Sequence, residues 1–417
     1  MSENALSSII EAVDNKIGPV YRGLEEISLG NHKKVLDAFH EARVSEYHLQ
    51  GSTGYGYGDA GREAVEKVFA SVFRAESALV RGQIASGTHA ITLCLFGILR
   101  PGDELLFVTG KPYDTLEEVI GVRGSAQGNL SQWGISYKQL KLLKDGDFDE
   151  DGIKAGISEK TRIVMIQRSR GYDWRSAFDI SKIERVCRLI RSIRDDVIIF
   201  VDNCYGEFVE EKEPIEVGAD LAAGSLIKNP GGGIAPTGGY IVGRAELVDM
   251  AANRLTAPGI GGRVGATMDF NRLFLQGIFL APHVVCESLK GVVFTSALFE
   301  KLGYEVSPKY NDNRSDIIQG IRLRDEEKMV AFCRGLQKGS PLDGHITPEP
   351  AAMPGYSDRV VMAGGTFIAG STIELSADGP LREPYAIYMQ GGVSKEYVRL
   401  GVISAATECN YHTIMGK

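Results

Sequence analysis

The chain of 417 residues has no two cysteines close enough for a C-x-x-C pair or a zinc knuckle; its six lie scattered at 94, 187, 204, 286, 333 and 409. That scatter excludes a redox dithiol and a cysteine-built metal centre. Cys94, within ITLCLFGIL, keeps apolar company, where a thiol acts as a small hydrophobe. Histidine is scarce, seven in all, with no H-x-H or H-x-x-x-H pair, so no zinc site can be built on a single helix. No metal site is expected. Blocks of Lys and Arg are missing too. Asp plus Glu number 54 against 46 Lys plus Arg, for a net charge of −8 and a pI near 5.6. An acidic surface repels phosphate backbones unless a basic stripe is set apart from it, so no nucleic-acid partner is expected. Unbroken apolar runs of about 18 residues are absent, and no membrane span is expected. The opening MSENALSSIIEAVDNKIG carries Glu3, Glu11 and Asp14 in place of a basic segment followed by an apolar core, unlike a signal peptide. A Walker A sequence is absent, which leaves phosphoryl transfer without its cradle. The expectation is a soluble, cytoplasmic protein.

What the chain does have is an ordinary globular balance, 43% apolar and 24% charged, enough apolar side chains to offset the entropy of ordering. Glycine is in excess: 50 residues, about 12% against a typical ~7%. No collagen-like period or repeat accounts for them, so they mark tight turns and close backbone approaches to a ligand. Residues 1–60 read as an arm, with amphipathic helical stretches at roughly 4–15 and 32–47 leading into GSTGYGYGDAG. From Ala78 to about Val242, strand-like runs (ALVRG, DELLFVT, ISYKQL, TRIVMIQ, VIIFVDN, LAAGSLI, GGYIVG) alternate with helical ones such as THAITLCLFGIL, TLEEVIGV and ISKIERVCRLIRSI. Such alternation predicts a mostly parallel sheet with helices on both faces. A long helical region over about 244–302 precedes a C-terminal part rich in turn signals. The division expected is an arm (1–60), a large α/β domain (61–290) and a smaller C-terminal α+β domain (291–417).

Gly56-Tyr57-Gly58-Asp59-Ala60-Gly61 matches G-x-G-x-x-G, but EYHLQGSTGY before it is not strand-like, and Arg81 stands where a ribose-binding acid belongs. A stronger phosphate signal is GQIASGTHAITLCLFGIL. There a strand-like run gives way to Ser86-Gly87-Thr88 at the start of an apolar helix, whose unpaired N–H groups suit a phosphate; an ordinary capped helix gives the same pattern. In VIIFVDNCYGEF, five apolar residues run into Asp202, placing a carboxylate at the carboxyl end of a buried strand, where ligands of open α/β sheets gather. A turn or cap Asp would look alike. Lys228 follows another apolar stretch and precedes a Gly-rich turn; a desolvated Lys there would be a nucleophilic amine, a solvated one merely polar. The three together, in this order, are what pyridoxal phosphate requires: a phosphate cradle, an anion for the pyridinium nitrogen and a Schiff-base lysine.

On these residues the chain resembles the fold-type I pyridoxal-phosphate enzymes of cysteine and methionine metabolism. It is most similar to the branch known as aluminium resistance, or methionine gamma-lyase-like (cystathionine beta-lyase-like), proteins. The stretches that carry the resemblance are YGYGDAGRE, GQIASGTHA, GKPYDTLEEVIG, IQRSRGY, VDNCYGEF, GSLIKNPGGGIAPTGGYIVG and YVRLGVISAATE, from the arm to the C-terminus. The resemblance implies a large, mostly parallel seven-stranded α/β domain with a smaller α+β domain, and pyridoxal 5'-phosphate as cofactor. It implies Lys228 as the cofactor lysine, Asp202 as partner of the ring nitrogen, and Ser86, Gly87, Thr88 and Ser225 around the phosphate. Ile227 stands where the wider family has a second hydroxyl. Tyr113 would stack on the ring and act as acid or base, and Arg399 would bind the substrate carboxylate. A Y-x-R element that reaches a neighbouring subunit in the wider family is not intact here; Tyr55, Tyr57 and Arg62 are the candidates, Tyr57 first among them. The activity implied is carbon–sulfur lysis of a small amino acid of the cystathionine, cysteine or methionine type, in a homodimer or a tetramer of paired dimers. An aminotransferase on the same scaffold and a non-catalytic metal-stress protein are the alternatives.

Overall fold

The structure, a computed structural model, describes residues 3–353, 356 and 358–415. It begins with α1 (Glu3–Glu41), a single helix of 39 residues where the sequence predicts two. Pro19 removes a hydrogen bond inside it and crowds the preceding turn. Packing carries the helix through that defect: Val13, Ile17, Val35 and Ala38 are buried against the body of the chain, and Tyr21 Oη donates to the carbonyl of Lys290. Then follow α2 (Ala60–Val72), β1 (Ser77–Arg81), α3 (Gly87–Ile98), β2 (Glu104–Phe107), α4 (Asp114–Ile120), β3 (Ser136–Gln139) and α5 (Glu150–Gly156). Next come β4 (Thr161–Gln167), α6 (Ile180–Ile193), β5 (Ile198–Asp202), β6 (Leu221–Ser225), β7 (Gly239–Gly243) and α7 (Ala245–Leu255).

The seven strands form one sheet in the order β1-β7-β6-β5-β4-β2-β3. Only β7 runs against its neighbours, β1 and β6; the remaining pairs are parallel. Every predicted strand is present, because a sheet covered on both faces demands near-continuous apolar runs. Alternate residues divide between two layers. Ile163, Met165 and Phe200 join the cluster containing α3 and α7 residues such as Leu95 and Ala251, whereas Val164, Ile166 and Val201 join the one containing Phe69 and Ile183 of α2 and α6. The G-x-G-x-x-G segment does not follow a strand: Asp59 caps α2 by accepting from the Arg62 N–H, and β1 comes later.

The chain leaves this sheet through α8 (Asn271–Lys301), a continuous helix that runs through residue 290. By length and composition α8 could cross a membrane, but 83% of its apolar window is buried within the protein. A second, wholly antiparallel sheet, in the order β10-β11-β12-β9-β8, follows. Its strands are β8 (Glu305–Ser307), β9 (Ile318–Arg322), β10 (Val360–Gly364), β11 (Ser376–Pro380) and β12 (Ala386–Gln390). With α9 (Glu326–Lys338) and α10 (Lys395–Met415) they form an α+β unit.

Candidate active site

Three parallel strands bring the first chemistry together. In register, Gln167 of β4 lies beside Asp202 of β5, and Asp202 beside Ala223 of β6; Ser225 ends β6, and Lys228 stands three residues beyond. These are the carboxyl ends of the sheet, where open α/β folds leave a crevice. The first turn of α3 meets them. Ser86 is its N-cap, accepting from the His89 N–H at 3.0 Å, so the other free N–H groups of the turn remain available to a ligand. Gly87 fits because the backbone comes close: a Cβ there would lie 3.1 Å from Cys204 Sγ and 3.5 Å from Ser225 Cβ. Ser86, Gly87, Thr88, Tyr113, Asp202, Ser225 and Lys228 all line one cavity of about 550 Å³. The structure thus brings seven of the nine residues singled out from sequence to one place.

Lys228 lies with Nζ 4.0 Å from the centroid of the Tyr205 ring. Its amine is not released in the manner expected of a desolvated lysine. Burial pulls its pKa down, but the surrounding acids Cys204, Tyr205, Asp202 and Tyr113 hold it well above the ordinary lysine value. Asp202 is buried, which raises its carboxyl, while Lys228 and the Cys204 N–H favour its charged form. The two charges act on each other without forming a direct ion pair. Tyr113 caps α4; its phenol lies 3.1 Å from Thr88 Oγ1, and its own N–H donates to Gln167 Oε1 at 3.3 Å. Burial, and then the Asp202 charge, push that phenol well above the ordinary tyrosine value.

Two selected residues lie elsewhere. Arg399 does not reach the cavity. It projects from α10 onto α1, where Nη1 and Nη2 hold both oxygens of Asp14 at 2.5 and 2.7 Å, and its guanidinium covers Phe294 at 4.8 Å. The carboxylate-binding role implied for Arg399 is therefore corrected: its donors are spent on α1. Tyr57 is exposed, between the left-handed Gly56 and Gly58, with its ring 5.6 Å from that of Tyr55. Arg62 is buried and holds its own chain's loops, donating to the carbonyls of Gly56, Gly265 and Arg263.

The cavity also contains groups the sequence did not single out. Arg170 is 1% exposed; Nη1 donates to Ser307 O at 2.8 Å and Oγ at 3.2 Å, while Nε and Nη2 are buried without an acceptor. Burial disfavours its charge, and the nearby carboxylates of Asp316 and Asp173 support it in part. The second sheet adds Ile318, Asp378, Tyr388 and Gln390, and the loop after β4 adds Tyr172. IQRSRGY could have pointed to Arg170 and Tyr172, but nothing in its pattern separates one arginine from the next. Asp378, in a short polar strand of a part of the chain with few strand signals, had no such marker.

The family model for methionine gamma-lyase matches residues 6–410. An uncharacterized protein of Bacillus subtilis is 53% identical over 394 residues, 94% of each chain. A crystal structure from Listeria monocytogenes, of a candidate cystathionine beta-lyase involved in aluminium resistance, is 50% identical; it superposes with a TM-score of 0.95 over 97% of this chain and 100% of that one. A carbon–sulfur lyase involved in aluminium resistance, from Clostridium novyi, is 48% identical with a TM-score of 0.94, over 97% of this chain and 96% of that one.

Proposed function

The chain belongs to the methionine gamma-lyase family, and from that membership we propose that it is a pyridoxal-phosphate-dependent carbon–sulfur lyase acting on a small sulfur amino acid. The observation that carries the reading is the meeting of Lys228, Asp202 and the first turn of α3 at the carboxyl ends of β4, β5 and β6, around one cavity. The donor set fits the cofactor. Asp202 and Lys228 act on each other without a direct ion pair and both line the cavity, and Gly87 leaves open the space beside Ser225 that a side chain would enter.

Bound there, pyridoxal phosphate would supply an aldehyde carbon for an amine and a ring that takes up the electron pair released at Cα. Lys228 would hold the cofactor through its aldehyde carbon and, as a free amine, would take the Cα proton at Nζ. Asp202 keeps a proton on the ring nitrogen by placing a buried negative charge against it. The free N–H groups of α3, with Ser86, Thr88 and Ser225, would take the phosphate, and Tyr113 would stack on the ring. Arg170, in place of Arg399, receives the substrate carboxylate on Nε and Nη2, a forked donor pair that fits its two oxygens. Orienting that carboxylate fixes which bond at Cα is labile. Tyr57 completes the phosphate site of a second copy.

An aminotransferase would use the same cofactor residues. It needs a second keto acid to turn over, whereas a lyase releases keto acid, ammonia and thiol from one substrate. The test is the purified protein: a visible absorption band that borohydride abolishes, with the added mass on Lys228, and neither in Lys228→Ala. A colourless protein that takes up no cofactor on reconstitution, or a Lys228→Ala variant with full turnover, would overturn the reading.

A further inference from the structure

The second sheet adds to the cavity an acid, Asp378, that forms no ion pair among the described residues. Asp378 stands at the centre of β11, in register with Tyr388 of β12, and both line the cavity. Neutral donors hold its carboxylate: Gln390 Nε2 lies 3.4 Å from Oδ2, and the Tyr172 phenol bonds to it as well. The titratable groups around it are Tyr172 from the loop after β4, Tyr205 from the turn after β5, Tyr356, and Cys333 from α9. The bases on this wall, Arg170 and Arg382, act on Tyr388. Asp378, Lys228, Tyr205 and Tyr356 all line this one cavity, and both tyrosines feel the Asp378 carboxylate and the Lys228 ammonium. Burial pushes the carboxyl up to about 6, against the pull of Tyr172 and Gln390.

Carbon–sulfur cleavage leaves a problem at the far end of the substrate. An ordinary thiol ionises near ~8.5, and expulsion of a thiolate into an enclosed cavity is costlier still. Lys228 is occupied with the Cα proton, Asp202 is committed to the ring nitrogen, and Tyr113 is a phenol made weaker as an acid by burial. We propose that, on the carbon–sulfur lyase reading above, the carboxyl of Asp378 protonates the sulfur as it departs. The electron pair of the neighbouring C–H bond forms the new C=C bond, and its proton passes to Lys228. The C–S bond breaks with its pair on sulfur, sulfur takes the Asp378 proton and leaves as a neutral thiol, and solvent restores the carboxyl.

The experiment compares the holoenzyme with Asp378→Asn and Asp378→Glu on S-substituted cysteines, from S-nitrophenyl, whose thiol leaves unaided, to S-methyl, whose thiol does not. Exchange of the alanine α-proton with deuterated water runs alongside, because it needs Lys228 but no leaving group. General-acid catalysis contributes about 10²–10⁴-fold. Relative to exchange, Asp378→Asn is expected to lose about 100-fold or more with S-methylcysteine and little with the S-nitrophenyl substrate, and Asp378→Glu to recover much of the loss. Difference infrared spectra of the protein without substrate should show a carboxyl band that fades as pH rises through about 6 and is missing from Asp378→Asn. Exchange in the native protein together with an equal loss on every thiol, or with no loss on S-methylcysteine, overturns the role of Asp378 alone. No exchange in the native protein overturns the lyase reading and this inference with it.

Discussion

Arg170 and Arg399 carry the same guanidinium in opposite surroundings, and their substitution should separate them. Arg399 is partly exposed, and Asp14 already takes both its terminal nitrogens. Exposed pairs contribute at most about 1 kcal/mol, so Arg399→Ala should lower stability by less than that and leave KM unchanged. Arg170 is buried with two donors lacking an acceptor. Arg170→Lys keeps the charge but loses the fork; hydrogen bonds to charged groups contribute ~1.5–3 kcal/mol, so KM should rise about 10–100-fold. Titration of each holoenzyme with an amino acid that binds but does not react gives the same comparison without turnover. A raised KM in Arg399→Ala with none in Arg170→Lys would reverse the assignment. The sequence made Lys228, Asp202 and Gly87 legible because each ends or begins an apolar run, and the run fixes where the residue lies. Arg399 was placed by a local motif that carries no information on which way α10 faces. Arg170 stood in a stretch already noticed, beside Arg168 and Arg175, and only the folded chain distinguishes them: Arg168 pairs with Glu210 and Asn203, Arg175 holds backbone carbonyls, and Arg170 keeps two donors free.

Among the elements, α3 joins the fold to the site, and its first turn is where the two make competing demands. A side chain at Gly87 would meet Cys204 Sγ at 3.1 Å, closer than van der Waals contact, and relieving it moves either the turn after β5 or the N–H groups of α3. Overpacking of this kind costs about 1–3 kcal/mol. Gly87→Ala should therefore lower the urea midpoint modestly and weaken pyridoxal-phosphate affinity about 10-fold or more. Gly87→Ala with Cys204→Ala, which makes room for the new methyl, should recover most of the stability. Cofactor affinity equal to that of the native protein in the single variant would remove α3 from the phosphate site. The strands around α3 could be read from sequence because each is an apolar run bounded by polar turns. The two helical stretches read at 4–15 and 32–47 are one helix through residue 41, because burial of Val13, Ile17, Val35 and Ala38 carries the helix across Pro19 and the less patterned residues between. Within the second sheet, β11 gives little local signal because it reads Ser-Ala-Asp-Gly-Pro, and pairing with β10 and β12 rather than local pattern makes it a strand.

At the scale of the whole molecule, the arm of residues 1–60 has a place on its own chain. Asn31 is fully buried and donates to the carbonyls of Phe208 and Glu210, and one stripe of α1 packs on α8. Deletion of the arm would strip that cover and confound assembly with folding. What α1 does not cover is more informative. Leu29 is 72% exposed, and Leu36 and Phe279 are nearly half exposed; Tyr55 and Tyr57 stand out as far as Leu29 does, although they do not share its helix. Large apolar side chains grouped on a surface mark an interface, and a closed two-fold pairing would bury the same residues on both copies. The minimal unit expected is a homodimer in which Tyr57 of one copy completes the phosphate site of the other. Sedimentation should show Leu29→Asp with Leu36→Asp falling toward monomer with an unchanged circular dichroism spectrum, since neither side chain supports the core. Cofactor retention should fall in step with dissociation, and Tyr57→Ala should weaken retention while leaving the assembly intact. A monomer that keeps its cofactor would show each site to be complete within one chain, and an undisturbed dimer would move the interface off α1.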